Sequence, residues 1–176
     1  DADGDSITFL SSNFSDISID STSGVMTLNS APDYDGGDTI FTTTIVANDG
    51  SNSAYQDISI TISDVDDTAP VFTSDSNFSV DENETTIGTV TATDVDTDDI
   101  FITFSTTSSD ISIDAGSGVM TFNSAPDYET ASTYTLTVIA SDNTNTNSQE
   151  VTISINDIDD TAPTFTGDSV FSVNEN

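Results

Sequence analysis

The 176-residue chain contains no lysine, arginine or histidine, and no cysteine or tryptophan. Without cationic side chains it cannot replace the counterions of nucleic-acid phosphates, and an anionic membrane surface would repel its formal net charge of −32. The lack of histidine excludes Ser-His-Asp and Cys-His catalytic groups, and the lack of cysteine excludes disulfides and thiolate zinc sites. No apolar run approaches the roughly 20 residues of a membrane-spanning helix. We therefore expect neither nucleic-acid binding nor direct membrane insertion.

Acidic residues, by contrast, are abundant. The chain has 32 Asp plus Glu, of which only five are Glu. Aspartate is favoured in turns and is a usual ligand in tight calcium loops. Hydrophobic residues make up 34% of the chain, with ten Phe, which indicates folded units rather than a solvated acidic tail. Because the polypeptide has no cationic side chain, it must take its countercharge from outside, and a bound divalent metal is the economical source.

A nine-residue string occurs twice. Residues 64–72 read D-V-D-D-T-A-P-V-F and residues 157–165 read D-I-D-D-T-A-P-T-F, an offset of 157 − 64 = 93. Shorter strings repeat at an offset of 93 or 94, which predicts tandem domains. We expect three parts: a first repeat that lacks its first two strands, a complete second repeat, and the first strand of a third. Their predicted bounds are 1–70, 71–163 and 164–176.

Within each repeat, apolar residues alternate with Ser and Thr. Ile58, Ile60 and Ile62 show this period of two, and the same pattern returns one repeat later. Such alternation places one face of a strand on a core and the other in water. The complete repeat has about seven such stretches separated by Asp, Asn, Gly and Ser, and no convincing helical period. The pattern predicts an all-β fold of antiparallel sandwiches.

Five short acidic or glycine-containing strings follow one another in a fixed order. They are Asp81-Glu82-Asn83, Asp94-Val95-Asp96, residues 118–121 with 126–129 (G-V-M-T and P-D-Y-E), Ala140-Ser141-Asp142, and the repeated nine-residue string.

This order resembles that of cadherin repeats, and the resemblance covers essentially the whole chain. It implies tandem Greek-key antiparallel β-sandwiches of about seven strands, joined end to end by acidic linkers, with up to three Ca²⁺ at each junction. The ligand set that the resemblance implies for the first complete linker is Asp33, Asp35, Asp64, Asp66, Asp67, Asp94, Asp96 and Asp142, with the carbonyls of Val65 and Thr68. The set for the next linker is Glu82, Asp127, Glu129, Asp157, Asp159 and Asp160. Asp1, Asp3 and Asp49 would serve the junction before residue 1.

A metal bound at such a linker would hold the linker rigid, because it would offset the repulsion between the converging carboxylates. Two unit charges about 4 Å apart cost about 4 kcal/mol at an effective dielectric near 20. Converging carboxylates should therefore splay the linker without cations and lock it with them. The function predicted is a calcium-rigidified structural or adhesive rod segment of an extracellular or cell-surface tandem-repeat protein. Faithful repetition of the aspartates is typical of structural ligands, so we do not expect an enzyme.

Other interpretations stay open at this point. The absence of Trp argues against the Trp-exchanging adhesive tip of vertebrate cadherins, and the lack of cysteine and basic residues favours a long prokaryotic surface adhesin. A carbohydrate-binding sandwich module, with cell-surface glycans as partners, is one alternative. A filament subunit that assembles with copies of itself by strand donation is another. Salt-adapted surface acidity is compatible with each of them.

Overall fold

The computed structural model describes residues 4–12, 15–96 and 101–175, and this part of the chain folds into β-strands without a helix. No helix within these ranges therefore has the length and apolar character needed to cross a bilayer. The strands are β1 (Thr8–Ser11), β2 (Ile17–Ile19), β3 (Met26–Leu28), β4 (Ile40–Asn48), β5 (Ser53–Thr61), β6 (Val71–Phe72), β7 (Asn77–Asp81), β8 (Thr86–Thr89), β9 (Ala92–Thr93), β10 (Thr103–Thr106), β11 (Ile111–Ile113), β12 (Val119–Phe122), β13 (Thr133–Ser141) and β14 (Thr146–Asn156).

The chain divides into two compact units. As far as their residues are described, unit 1 comprises Asp1–Val71, Ala92–Ile102 and Ser141–Asn147, and unit 2 comprises Phe72–Thr91, Thr103–Ala140 and Ser148–Asn176. This division assigns Ala92–Ile102 and Ser141–Asn147 to unit 1, although unit 2 residues separate them in sequence from the rest of unit 1. The repeat boundaries expected from the sequence stay predictions.

Unit 1 contains a three-stranded sheet in the order β1-β4-β5 and a separate β2-β3 ladder. The pairs β1 with β4, β4 with β5, and β2 with β3 are all antiparallel. The Ser11 and Thr43 hydroxyls are hydrogen-bonded at 2.7 Å across the sheet. Ile17 and Pro70 are the two large apolar side chains of this unit that are fully buried among the described residues. The apolar interior of unit 1 is therefore shallow.

Unit 2 has a closed interior between two sheets. One sheet has the order β10-β13-β14-β7 and the other has the order β11-β12-β8. Phe122 and Tyr134 meet edge to face with ring centroids 5.0 Å apart. The apolar core comprises Val80, Ile87, Val90, Phe104, Ile111, Met120, Phe122, Leu136, Val138, Ala140, Val151, Ile153 and Ile155.

The prediction of an all-β sandwich is confirmed, and one pairing adds to it. Strands β7 and β14 run parallel, from Thr152 opposite Asn77 to Asn156 opposite Asp81. These strands come from opposite ends of the unit, so no tight hairpin constrains them to be antiparallel. Strand β8 then enters the other sheet and pairs with β12, so the chain crosses between the sheets directly after β7.

A turn with the same design occurs once in each unit. Asp20 accepts hydrogen bonds from the amides of Thr22 and Ser23, and Asp114 accepts them from Gly116 and Ser117. These bonds favour the charged carboxylate: the backbone and hydroxyl of Ser23 lower the pKa of Asp20, and the hydroxyl and backbone of Ser117 lower that of Asp114.

Each of these turns closes on a glycine in the left-handed region. Gly24 has φ +72° and Gly118 has φ +71°, and each amide donates to the carbonyl of the turn aspartate at 2.9 Å. A Cβ on Gly118 would also clash with the carbonyl oxygen of Val90. Position 118 therefore requires glycine for two independent reasons.

We predict that Gly118→Ala destabilises unit 2 by at least about 2 kcal/mol, because it combines an unfavourable φ with a clash against rigid backbone. Gly116→Ala is the matched control two residues away, where φ is ordinary and the nearest atom to a new Cβ is an Asp114 oxygen at 3.9 Å. The control should change stability by no more than about 0.5 kcal/mol. Denaturant unfolding followed by circular dichroism measures both, and equal effects would contradict the assignment.

Candidate metal centre

Three carboxylates converge in unit 1. Asp35, Asp67 and Asp96 each offer an oxygen, and these oxygens lie within 4.8 Å of one another. Asp35 precedes β4, Asp67 follows β5, and Asp96 follows β9, so three separate segments contribute. Asp35 and Asp67 are exposed, whereas Asp96 is only 4% exposed. We call these residues the unit 1 cluster.

Thr68 organises the unit 1 cluster. Its amide donates to Asp96 Oδ2 at 3.0 Å, and its hydroxyl lies 3.3 Å from Asp35 Oδ2 and 3.5 Å from Asp67 Oδ1. One residue of the linker thus contacts all three carboxylates. A single hydroxyl proton cannot offset three negative charges, so the cluster has the charge and the oxygen donors to bind a cation.

Three aspartates in this region, the half-buried Asp94 and the buried Asp96 and Asp142, share one arrangement, in which one oxygen is anchored and the other is not. Asp94 Oδ1 accepts from the Asp96 amide, Asp96 Oδ2 accepts from the Thr68 amide, and Asp142 Oδ1 accepts from the Thr144 and Asn145 amides. The second oxygen of each carboxylate is buried and has no hydrogen-bond partner. Buried carboxylate oxygens are costly unless something compensates them. The three free oxygens fit ligands of a hard metal ion.

The electrostatics of Asp96 agree with this interpretation. Burial is the main reason that its pKa is raised, and the charges of Asp35 and Asp94 raise it further, although the Thr68 amide acts in the opposite direction. The metal-free fold therefore penalises the charged form of Asp96, and a bound cation would remove that penalty.

Unit 2 contains a second group, Glu82, Glu129 and Asp157, whose carboxylate oxygens also lie within 4.8 Å of one another. We call it the unit 2 cluster. Glu82 is 1% exposed, and its oxygens accept from the Tyr128 amide at 2.8 Å and the Ile158 amide at 2.7 Å. Its side chain therefore ties the loop before β13 to the segment after β14.

The pKa of Glu129 is affected by its acidic neighbours in the unit 2 cluster. Its own backbone hydrogen bond lowers its pKa, but partial burial together with the charge of Glu82, the side chain of Asp127 and the charge of Asp157 outweighs that effect, so the net pKa is raised. Nearby, Asn83 Nδ2 donates to Asp160 Oδ2 at 2.8 Å.

Three of the aspartates predicted as ligands support turns. Asp33 accepts from the Gly36 amide at 2.8 Å, and Asp49 accepts from the Ser51 and Asn52 amides. Asp127 accepts from the Thr130 hydroxyl at 2.8 Å. The Asn52 and Ser51 amides lower the pKa of Asp49, and the Thr130 hydroxyl is the main reason that the pKa of Asp127 is lowered.

The remaining predicted ligands have varied surroundings. Asp64 is half-buried and lines a cavity with Asp33, Asp35 and Asp67. Asp159 is exposed and lies two residues after Asp157 of the unit 2 cluster in the sequence. Asp1 and Asp3 lie outside the described residues.

Two contributors were missed by sequence reasoning. Asn145 donates its amide to Asp142 and its side-chain Nδ2 to Asp66 Oδ1 at 2.9 Å, which links positions 79 residues apart. The Thr68 hydroxyl was also missed, since only its carbonyl was expected to participate. Asn145 lies three residues after Asp142, and this spacing is a weak indication of a turn. No local sequence pattern predicts the contact between Asn145 and Asp66.

Comparison with known proteins decides the family. Residues 76–156 match the family model described as the cadherin domain. This stretch is a cadherin domain. Human cadherin EGF LAG seven-pass G-type receptor 2 is 35% identical over 136 residues, which are 71% of this chain and 5% of the receptor. Human protocadherin-11 X-linked is 30% identical over 162 residues, which are 85% of this chain and 12% of that protein.

The solved structures agree with the sequence relatives. The mouse cadherin-23 EC22-24 structure superposes with a TM-score of 0.74 at 27% identity, covering 88% of this chain and 55% of that one. The chain thus spans only a small part of the curated relatives that it matches. Cadherin domains are adhesion modules rather than enzymes and are in general calcium-binding, and these relatives carry them as extracellular domains of cell-surface receptors.

We predict that Asp96→Asn stabilises the protein in a metal chelator at neutral pH. The variant removes a buried charge next to Asp35 and Asp94, while the Asn carbonyl oxygen can still accept from the Thr68 amide. In millimolar calcium we expect the wild type to be more stable than the variant, because only the wild type has a charged carboxylate at position 96 to bind the ion.

Differential scanning calorimetry in chelator and in calcium measures both differences. Asp75→Asn, at an exposed position outside both clusters, is the control for the change in net charge. A variant that is less stable than the wild type in chelator would contradict this assignment.

Proposed function

We propose that this chain is a calcium-stiffened adhesive or structural segment of an extracellular, cell-surface tandem-repeat protein. One observation carries the proposal: Asp94, Asp96 and Asp142 each have one oxygen anchored by backbone amides and a second oxygen buried without a partner. A fold that buries unpaired carboxylate oxygens and has no cationic side chain is built to take its countercharge from a metal ion.

The chemistry of the donors favours calcium. Every candidate ligand is an oxygen, and the chain has no imidazole or thiolate that would favour zinc. Calcium accepts six to eight oxygens in a flexible shell, whereas magnesium requires a stricter octahedron and retains water. The unit 1 cluster, with Asp94 and Asp142, would hold calcium in unit 1. The unit 2 cluster, Glu82, Glu129 and Asp157, would hold it in unit 2.

The calcium would supply positive charge, and the side chains determine what that charge fixes. Asp67 belongs to the segment between β5 and β6, whereas Asp35 and Asp96 come from elsewhere in unit 1. Mutual repulsion between these carboxylates drives the segments apart, and the hydrogen bonds of Thr68 with the cluster and of Asn145 with Asp66 oppose it. A cation bound to all three would therefore convert a loosely held linker into a rigid one.

The environment follows from affinity. Extracellular modules bind calcium with dissociation constants of about 10⁻⁴ to 10⁻³ M, so the sites fill outside cells and stay empty in the cytosol. The partners that we propose are calcium and neighbouring repeats of the same chain or of its copies. The lack of cysteine and of basic residues favours a prokaryotic surface adhesin as the parent, although the relatives named above are mammalian.

Glycan binding receives less support from the surface. The exposed aromatic residues among those described lie on β5, before β10, between β12 and β13, and after β14: Tyr55, Phe101, Tyr128, Phe165 and Phe171. A sugar platform requires aromatic rings on one face, and these rings are spread over four segments of the chain. We therefore propose no sugar site.

We predict that Asp67→Ala weakens calcium binding to the unit 1 cluster at least about tenfold, because it removes a charged ligand from an all-oxygen site. Asp75→Ala has the same charge change at an exposed position outside both clusters and should leave calcium affinity within about twofold of the wild type, given the weak coupling of exposed charges. Isothermal titration calorimetry compares the two variants. Equal affinities would remove Asp67 from the ligand set.

Stiffening is tested by small-angle scattering of the full chain in millimolar calcium and in chelator. We expect a longer maximum dimension and a narrower distance distribution with calcium, and magnesium at the same concentration should not substitute. Asp67→Ala should behave like the chelated wild type until calcium is raised. Identical profiles in calcium and chelator would refute the rod mechanism even if calcium binds.

A further inference from the structure

Three aspartates of the chain are followed directly by a glycine: Asp3, Asp35 and Asp49. At such a pair the backbone amide of the glycine can attack the side-chain carboxyl carbon of the aspartate and close a five-membered imide. Glycine is the most permissive neighbour for this reaction, because it has no Cβ to hinder the approach. Asp3 lies outside the described residues, so the structure compares Asp35, which belongs to the unit 1 cluster, with Asp49.

The turn that contains Asp35 holds its glycine amide against a base. The Gly36 amide donates to Asp33 Oδ1 at 2.8 Å. An amide nitrogen must lose its proton when it attacks a carboxyl carbon, and a carboxylate that already accepts this hydrogen can remove it. No backbone amide of the described residues donates to the Asp35 carboxylate, whose Oδ2 accepts from the Thr68 hydroxyl at 3.3 Å. Asp35 and Gly36 are both exposed, so water reaches them.

The contact between Asp33 and this amide depends on a glycine at position 36. A Cβ there would lie 2.7 Å from Asp33 Oδ2, so any other residue would displace the carboxylate. The following residue, Gly37, has φ +106°, which again favours glycine. The turn therefore combines an unhindered amide with a nearby proton acceptor, and both properties come from the same residue.

Asp49 also precedes a glycine, but its hydrogen bonds differ. Its Oδ1 accepts from the Asn52 amide at 2.6 Å and the Ser51 amide at 2.7 Å, and these bonds lower its pKa. The Gly50 amide donates to the side-chain carbonyl of Asn48 at 2.8 Å, and a carboxamide is a far weaker base than a carboxylate. The Asp49 carboxylate must therefore break two charge-assisted bonds before its carbon can meet the amide.

Unit 2 has neither residue of the reactive pair. The offset of 94 places Glu129 and Thr130 where unit 1 has Asp-Gly. A glutamate would have to close a six-membered imide, which forms far more slowly, and the branched side chain of threonine hinders its amide. The Thr130 amide donates to the backbone carbonyl of Asp127 at 3.1 Å and not to a carboxylate. The two clusters thus differ in chemical durability, although each offers three carboxylates.

We propose that Asp35 is a site of spontaneous conversion to isoaspartate, and that bound calcium suppresses the reaction. The Gly36 nitrogen bonds to Asp35 Cγ, and its proton passes to Asp33. One carboxyl oxygen leaves as water, with this proton and a second one from solvent. Water then opens the imide: attack on the side-chain carbonyl restores aspartate, and attack on the main-chain carbonyl gives isoaspartate. The water lost is regained, so the mass of the chain is unchanged.

Isoaspartate at position 35 disables the unit 1 cluster. The conversion adds one carbon to the main chain and leaves the carboxylate directly on Cα, so the oxygen that converges with those of Asp67 and Asp96 is displaced. Calcium on the Asp35 carboxylate would occupy the oxygen that must leave and hold Cγ away from Gly36. This protection rests on the calcium site proposed above. A period without calcium then causes lasting damage to unit 1 and spares the unit 2 cluster.

Ageing of the full chain in chelator, at neutral pH and physiological temperature, tests the conversion. Isoaspartate is located by chymotrypsin digestion and electron-transfer fragmentation, because the chain has no Lys or Arg for trypsin. We expect Asp35 to convert at least about tenfold faster than Asp49, since Asp49 must first leave two amides. Ageing in urea is the control: with both turns unfolded, the two rates should be similar.

The same ageing in about 10 mM calcium tests the protection. If only the calcium-free site reacts, dissociation constants of about 10⁻⁴ to 10⁻³ M predict that conversion slows about ten- to hundredfold. After ageing in chelator, isothermal titration calorimetry should show a lower calcium stoichiometry for the wild type than before ageing.

Two variants separate the roles of the residues. Asp35→Glu keeps a carboxylate at the position, as Glu129 does in unit 2, so it should form no isoaspartate there and should retain its calcium stoichiometry after ageing. Asp33→Asn keeps an acceptor for the Gly36 amide but removes the base. Conversion of Asp35 in chelator should then fall at least about tenfold.

Several results would overturn the proposal. Asp35 that stays intact in chelator excludes the reaction, and equal rates at Asp35 and Asp49 in the folded chain would assign it to the dipeptide alone. Conversion that Asp33→Asn leaves unchanged would remove Asp33 as the proton acceptor. Equal conversion in calcium and chelator, while calorimetry shows calcium bound, excludes protection by the ion. The same equality with no calcium bound refutes the calcium function and leaves the conversion of Asp35 standing.

Discussion

The structure depends on the repulsion between carboxylates that have no internal partner. With 32 acidic side chains and no basic ones, the chain can form no ion pair between side chains anywhere along its length. The only donors available to the acids are backbone amides, hydroxyls and carboxamides. Backbone amides hold many of them in turns, as at Asp20 and Asp114, where the lowered pKa shows that the charged form is favoured. Where carboxylates converge, such donors are too few.

The difference between satisfied and unsatisfied acids separates structural from candidate functional residues. Asp49 and Asp127 have oxygens committed to turn amides and hydroxyls, and their pKa values are lowered. Asp96 has one oxygen committed and one buried and free, and its pKa is raised, chiefly by burial. Repetition alone does not distinguish these residues, because both kinds recur at the same offset. Their hydrogen bonds do.

Much of this could be read from the sequence, for identifiable reasons. The alternation of Val151, Ile153 and Ile155 predicted a strand with one buried face, and all three are buried. The repeated linker string placed Asp67 and Asp157 among the candidate ligands, and each lies in a cluster. What escaped was long-range: the contact of Asn145 with Asp66, and the parallel pairing of β7 with β14. Periodicity reports which face of a strand is buried, but not which strand lies beside it.

The parallel pairing of β7 with β14 has a consequence for a molecule under tension. These two strands lie near the start and the end of unit 2, and their ladder runs from Asn77 and Thr152 to Asp81 and Asn156. A force that pulls the beginning of β7 and the end of β14 apart acts along the strands. It therefore loads the rungs of the ladder together in shear instead of peeling them one at a time. Resistance to extension therefore depends on which strands are paired in the sheet and in which direction, and not on how many contacts the core makes.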